Sequence, residues 1–160
     1  MGGIRMQKRG IRFQAPLHKL IQLQDVLGAI EIEKFNWHLN NIEIHESNIK
    51  INNDVWDIEQ PLVIDGCNLK CKFECVEHLA ILGEFIAFSP DDVPCEINTY
   101  NEFLKSKAEI VFLVVDSSYY DIYCKDISLI EKIYVFAQSY GFKEIEYIDE
   151  NDPRYKLSVW

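Results

Sequence analysis

The stretch EIVFLVVDSSYYDIYCKD, residues 109–126, decides the fold class. Ile110 to Val115 form an apolar run with no polar face, the mark of a strand covered on both sides. Asp116, Ser117 and Ser118 are turn formers, because their side chains hydrogen-bond nearby backbone. Tyr120, Ile122 and Cys124 then alternate with other residues, as on a returning strand. Two strands joined by so short a turn must be antiparallel, since a parallel crossover needs a dozen residues or more. Asp126 is placed to cap a helix over ISLIEKIYVFAQSYG, in which Ile130, Ile133, Ala137 and Tyr140 make the apolar stripe and Gly141 the stop.

The rest of the chain extends this pattern. RGIRFQ reads as a first strand. APLHKLIQLQDVLGAI reads as a helix opened near Pro16, with Leu20, Leu23, Leu27 and Ile30 at helical spacing. In KFNWHLNNIEIHE, Trp37 and Leu39 alternate before Asn40 and Asn41, and Ile42 and Ile44 after them, which predicts a hairpin with the two asparagines as its loop. Residues 47–62 carry mixed signals and are left without an element. HLAILGEFIAFSP reads as a buried strand ended by Ser89 and Pro90, and TYNEFLKS as a short helix with a Thr99–Glu102 capping box. FKEIEYI and a final YKLSVW read as strands around the turn DENDPR. Hairpins and mixed elements without βαβ alternation predict an α+β fold: a mostly antiparallel mixed sheet with about three helices packed on one face.

One domain is expected. A chain of 160 residues buries a single core, and no stretch resembles a linker or a repeat. Residues 9–160 are assigned to this α+β domain, and residues 1–8 to a basic, partly disordered extension. No apolar stretch approaches the ~20 residues of a membrane span, and the start lacks the apolar core of a secretion signal. Five cysteines without a framework spacing predict free thiols and a cytoplasmic setting.

Residues 1–19 hold Arg5, Lys8, Arg9, Arg12 and Lys19 and no acid, so the other 141 residues carry 11 bases against 26 acids, a net of −15. Such a body repels phosphate backbones, which excludes nucleic acid as the expected partner and favours a basic protein.

DGCNLKCKFEC, residues 65–75, raises the question of a metal site, with Cys67, Cys71 and Cys75 four apart and His78 following. A strand points all three cysteines one way; a helix makes Leu69, Phe73 and Val76 the buried stripe. Period alone leaves both open. Either backbone spreads the first and third thiols about 26 or 12 Å apart, beyond one tetrahedral ion with bonds near ~2.3 Å. No metal and no cofactor is expected, and C-x-x-x-C is not the C-x-x-C redox spacing.

No phosphate loop, dinucleotide fingerprint, H-E-x-x-H or G-x-S-x-G elbow occurs. The remaining candidate is the polar group emerging from the buried strand: Asp116, Ser117, Ser118 and Asp126, read as binding residues and not as a catalytic set. DENDPR gathers acids around Arg154 and reads most economically as a solvated turn. Three functions stay open: an acidic protein-interaction module of immunity or regulatory type, a small enzyme or ligand-binding domain with a pocket near Asp116, Ser117 and Asp126, and a homo-oligomer.

KRGIRFQAP, KFNWHL, TYNEFL, VVDSSYYDIYCKD and ENDPRYKLSVW together resemble a family of small uncharacterised cytoplasmic proteins from bacilli and related Firmicutes, known as a domain of unknown function. The resemblance runs from about Met6 to Trp160. It implies a helix where this chain has CNLKCKFEC, and it implies no activity and no catalytic residues.

Overall fold

In the computed structural model, which describes residues 7–46, 55–154 and 156–159, the hairpin read from residues 109–126 is the centre of the sheet. β5 (Ala108–Val115) and β6 (Tyr119–Cys124) pair antiparallel with Val115 opposite Tyr119. Around them lie β1 (Lys8–Gln14), β2 (Asn36–Glu46), β3 (Leu62–Asp65), β4 (His78–Phe88) and β7 (Lys143–Asp149). The order is β3-β2-β4-β5-β6-β1-β7, and every pairing is antiparallel. The expected extension, residues 1–8, lies outside the described residues as far as residue 6, and Lys8 already belongs to β1. β1 approaches β6 so closely that a Cβ on Gly10 would stand 2.0 Å from the Ile122 carbonyl oxygen, so only glycine fits there.

Among the described residues there are four α-helices, one more than expected. α1 (Leu23–Val26), α2 (Gly66–Cys75) and α4 (Ile127–Tyr140) cover one face, where Leu23, Leu69, Phe73, Ile130 and Ile133 meet Phe13, Trp37, Phe85 and Phe112. α3 (Tyr100–Lys105) lies on the other face, where Tyr100 and Phe103 pack with Val111, Leu113, Tyr123 and Leu157. The sheet is therefore covered on both sides, which explains the apolar run of β5. Asp126 caps α4 by accepting from the Ser128 and Leu129 N–H groups, and Gly141 stops it at φ 98°. Thr99 accepts from the Glu102 N–H at α3, and the Glu102 carboxylate accepts from the Asn98 N–H at 2.8 Å.

Four expectations are corrected. The hairpin at Asn40 and Asn41 does not form: β2 runs straight through, with a bulge between Asn40 and Glu43. Asn41 does take a positive φ, 51°, but inside the strand. The extra residue flips the side-chain parity, so Trp37, Leu39, Ile42 and Ile44 all face the same core without a turn. β4 offers eleven residues and pairs both halves of β2.

The helix expected over residues 15–30 shrinks to the four residues of α1. His18 sits at φ 63°, outside helical space, and Gln22 is held in extended backbone by two hydrogen bonds to the main chain of His78. Residues 62–65 form the edge strand β3, which the mixed signals of 47–62 concealed; residues 47–54 lie outside the described residues. Of the final strand expected over 155–160, residues 155 and 160 lie outside the described residues, and 156–159 form only a bridge between Thr99 and Lys156, because Leu157 docks under α3 instead of alternating along an edge.

The cysteine segment is the helix α2, with Asp65 accepting from the Asn68 N–H at 2.9 Å as its cap.

Candidate functional site

The β5–β6 turn brings Asp116, Ser117 and Ser118 together, with left-handed backbone at Asp116 (φ 49°) and Ser117 (φ 66°). The turn is pinned from both sides: the Ser117 N–H donates to the Ile81 carbonyl at 3.0 Å, and the Ser118 carbonyl accepts from the Ala15 N–H at 2.8 Å. Asp126 is not part of this group. It lies past the far end of β6, about 20 Å away at strand rise, where its carboxylate is occupied with the first turn of α4. The expected single pocket near Asp116, Ser117 and Asp126 is thus two separate places.

A concavity of about 400 Å³ opens beside the turn, lined by residues 14–21, Leu79 and Ser117 to Tyr120. Leu17, Leu20, Leu79 and Tyr119 line it and are all solvent-exposed, Leu17 at 69%. His18 and Ser117, two residues with positive φ, line it. Strained backbone of this kind persists where the surrounding structure enforces it and gathers at binding sites. Lys19 also lines it, with its Nζ 4.1 Å from the centre of the Tyr140 ring. The Tyr120 hydroxyl donates to the Ser117 carbonyl at 3.3 Å, and burial pushes its pKa up to about 12, so it stays protonated at neutral pH. Among the described residues no hydrogen bond joins the His18 imidazole to either serine hydroxyl. The site offers shape and apolar surface.

A second concavity, also about 400 Å³, surrounds Asp126 between Phe35, Ser128 and Lys132. Its Lys34 pairs with Glu31, and its helix N–H groups are already capped. Cys67, Cys71 and Cys75 are exposed along α2, and Cys124 is buried, which drives its thiol pKa up. Among the described residues no three His, Cys, Asp or Glu side chains converge on a metal position. No described helix is long and apolar enough to cross a membrane.

One polar constellation was missed from the sequence. Asn40, Glu84, Leu113, Asp121, Arg12 and Glu146 are successive cross-strand partners and form one row across the second face of the sheet. Asp121, 6% exposed, accepts from Arg12 and also from Arg154 Nη1 at 3.1 Å. Arg12 Nη1 donates to Asp152 Oδ2 at 2.7 Å. The Val159 N–H donates to the buried Glu84 at 3.0 Å. Asp152, Arg154 and Val159 are thereby clasped to the sheet: within DENDPR, Glu150, Asn151 and Pro153 form the exposed turn that was expected, while Asp152 and Arg154 are half-buried in the ion-pair network. The available signal was the charge itself: Arg12, Glu84 and Asp121 each fall within a stretch read as a strand, and a charge that a sheet buries needs a partner.

Residues 8–158 match a protein family described as "Protein of unknown function (DUF2691)". The chain belongs to this family. DUF2691 relatives include "Uncharacterized protein YncE" of Bacillus subtilis (strain 168), 32% identical over 155 residues that cover 94% of this chain and 99% of that protein. No solved structure matches the chain. The match spans β1 through the clasped C-terminal segment, so the DUF2691 unit includes the apolar concavity and the ion-pair network alike.

Proposed function

We propose that this member of the family is a protein-interaction module of immunity or regulatory type, working in the cytoplasm, whose contact face is the concavity beside the β5–β6 turn. One observation carries the reading: four exposed apolar side chains, Leu17, Leu20, Leu79 and Tyr119, gather around one hollow bordered by strained residues. Exposed apolar surface gathered in one place marks interaction sites, whereas scattered single residues are ordinary. The partner is a basic protein that seats an apolar side chain in the hollow. The net of −15 over residues 20–160 supplies the long-range attraction. A second copy of this acidic chain is the less favoured occupant, because like charge opposes its approach.

The reading is tested by affinity capture with the wild type and with Leu20→Glu, at low and at high salt. A basic protein held by the wild type, released as salt rises and not held by the variant supports it. A partner retained equally by both chains, or wild-type self-association seen by light scattering and abolished in the variant, overturns it. A ligand-binding role for Ser117 and Ser118 would instead appear as a small molecule protecting the chain thermally.

A further inference from the structure

Cysteine is among the most buried residue types and ordinarily fills cores, yet Cys67, Cys71 and Cys75 all face solvent on α2. Core packing therefore does not account for them. The helix places residues four apart on one face, about 6 Å between neighbours. Cys71 is the neighbour of both others, whereas Cys67 and Cys75 stand about 12 Å apart. His78 cannot join them. It is fully buried, its Nε2 accepts from the Leu23 N–H at 3.1 Å, and its Nδ1 donates to the Val76 carbonyl at 3.0 Å.

What remains is a pair of thiols one helical turn apart on an exposed face. That arrangement fails the four-ligand demand of zinc, but it suits a soft monovalent d10 cation, which accepts two thiolates in a near-linear arrangement. Side chains rooted about 6 Å apart can bring two sulfurs to opposite sides of one such ion. Cys75 Sγ donates weakly to the Lys72 carbonyl at 3.7 Å and would exchange that contact for the metal.

The geometry points to a two-thiolate site for Cu(I) on the exposed face of α2, built by Cys71 with either Cys67 or Cys75. Binding breaks two S–H bonds and forms two Cu–S bonds. It releases two protons to solvent and leaves a bis-thiolate complex of charge −1, with no change in oxidation state. The site is independent of the contact face proposed above.

The test is anaerobic titration of the reduced full chain against the Cu(I) complex of bathocuproine disulfonate. Wild type, Cys67→Ser, Cys75→Ser and the control Cys95→Ser should each withdraw one Cu(I). Cys71→Ser and the Cys67→Ser/Cys75→Ser double variant should compete at least about tenfold less well. All the replaced thiols are exposed, and circular dichroism verifies that each variant is folded. Copper withdrawn equally by Cys71→Ser and wild type, affinity lost in every single variant, or no withdrawal by the wild type would each overturn the assignment.

Discussion

Arg12 grips Asp121 from the neighbouring strand with two parallel hydrogen bonds, Nε to Oδ1 at 2.8 Å and Nη2 to Oδ2 at 3.0 Å. Because Asp121 also holds Arg154, its removal takes a partner from two guanidiniums at once, leaving Arg12 its bond to Asp152. Breaking a buried pair from one side costs about 3–5 kcal/mol, less where solvent reaches the survivors, as it does here. Asp121→Ala should therefore lower the unfolding free energy in urea by about 2–3 kcal/mol. It should also open the chain around Asp152 and Arg154 to proteolysis. A loss well under ~1 kcal/mol would show that the network is not holding that segment.

Burial lowers the pKa of both His38 and His78 below the ordinary histidine value of 6.5. For His78 the hydrogen bonds fix the neutral form, with the proton on Nδ1. The unfolded chain then binds more protons than the folded one below pH 6.5, so stability falls as pH drops through that value towards the folded pKa values. The carboxylates with depressed pKa, Asp65 and Asp126 among them, lose their contribution only at more acidic pH. Urea midpoints at pH 7.5 and 5.5 should differ in the wild type and converge in a His38→Gln/His78→Gln variant. A wild-type midpoint that does not move over that range would contradict the assignment.

Asn41 combines a left-handed φ of 51° with a hydrogen bond from its Nδ2 to Glu84 at 3.0 Å. A β-branched residue is strained there, at about 1–3 kcal/mol. Glycine loses only the hydrogen bond, about 1 kcal/mol. Asn41→Val should thus be less stable than Asn41→Gly; the reverse order would mean that the bulge relaxes when its side chain changes.

Asp126 and Leu79 separate folding from binding. Asp126→Ala removes the cap of α4 and should lower the melting temperature while leaving partner capture untouched. Leu79→Glu, at a partly exposed position, should do the opposite. Equal effects of both on capture would place the contact face elsewhere.

The sheet was legible wherever local signals agreed with long-range pairing. Residues 109–126 named a hairpin, and Asp126 and Gly141 bounded α4, because turn and cap chemistry is local. The chain around Asn41 shows where that ends. Trp37, Leu39, Ile42 and Ile44 switch parity at the asparagines whether the backbone turns back or bulges, and only the eleven-residue partner β4 decides. The candidate site divided for the same reason: Asp116 and Asp126 are close in sequence, but a strand lies between them. The apolar hollow draws Leu17 and Leu20 from a loop that helical spacing disguised. The ion-pair row needed the strand order, since Arg12, Glu84 and Asp152 come from distant parts of the chain.

The most direct test of the contact face is photo-crosslinking inside the producing cell, with benzoylphenylalanine placed at Leu20 or Leu79 beside the hollow, or at exposed Val135 on α4. One crosslinked basic protein is expected at positions 20 and 79 and none at 135. Crosslinks of equal strength at all three positions, or at 135 alone, would contradict it.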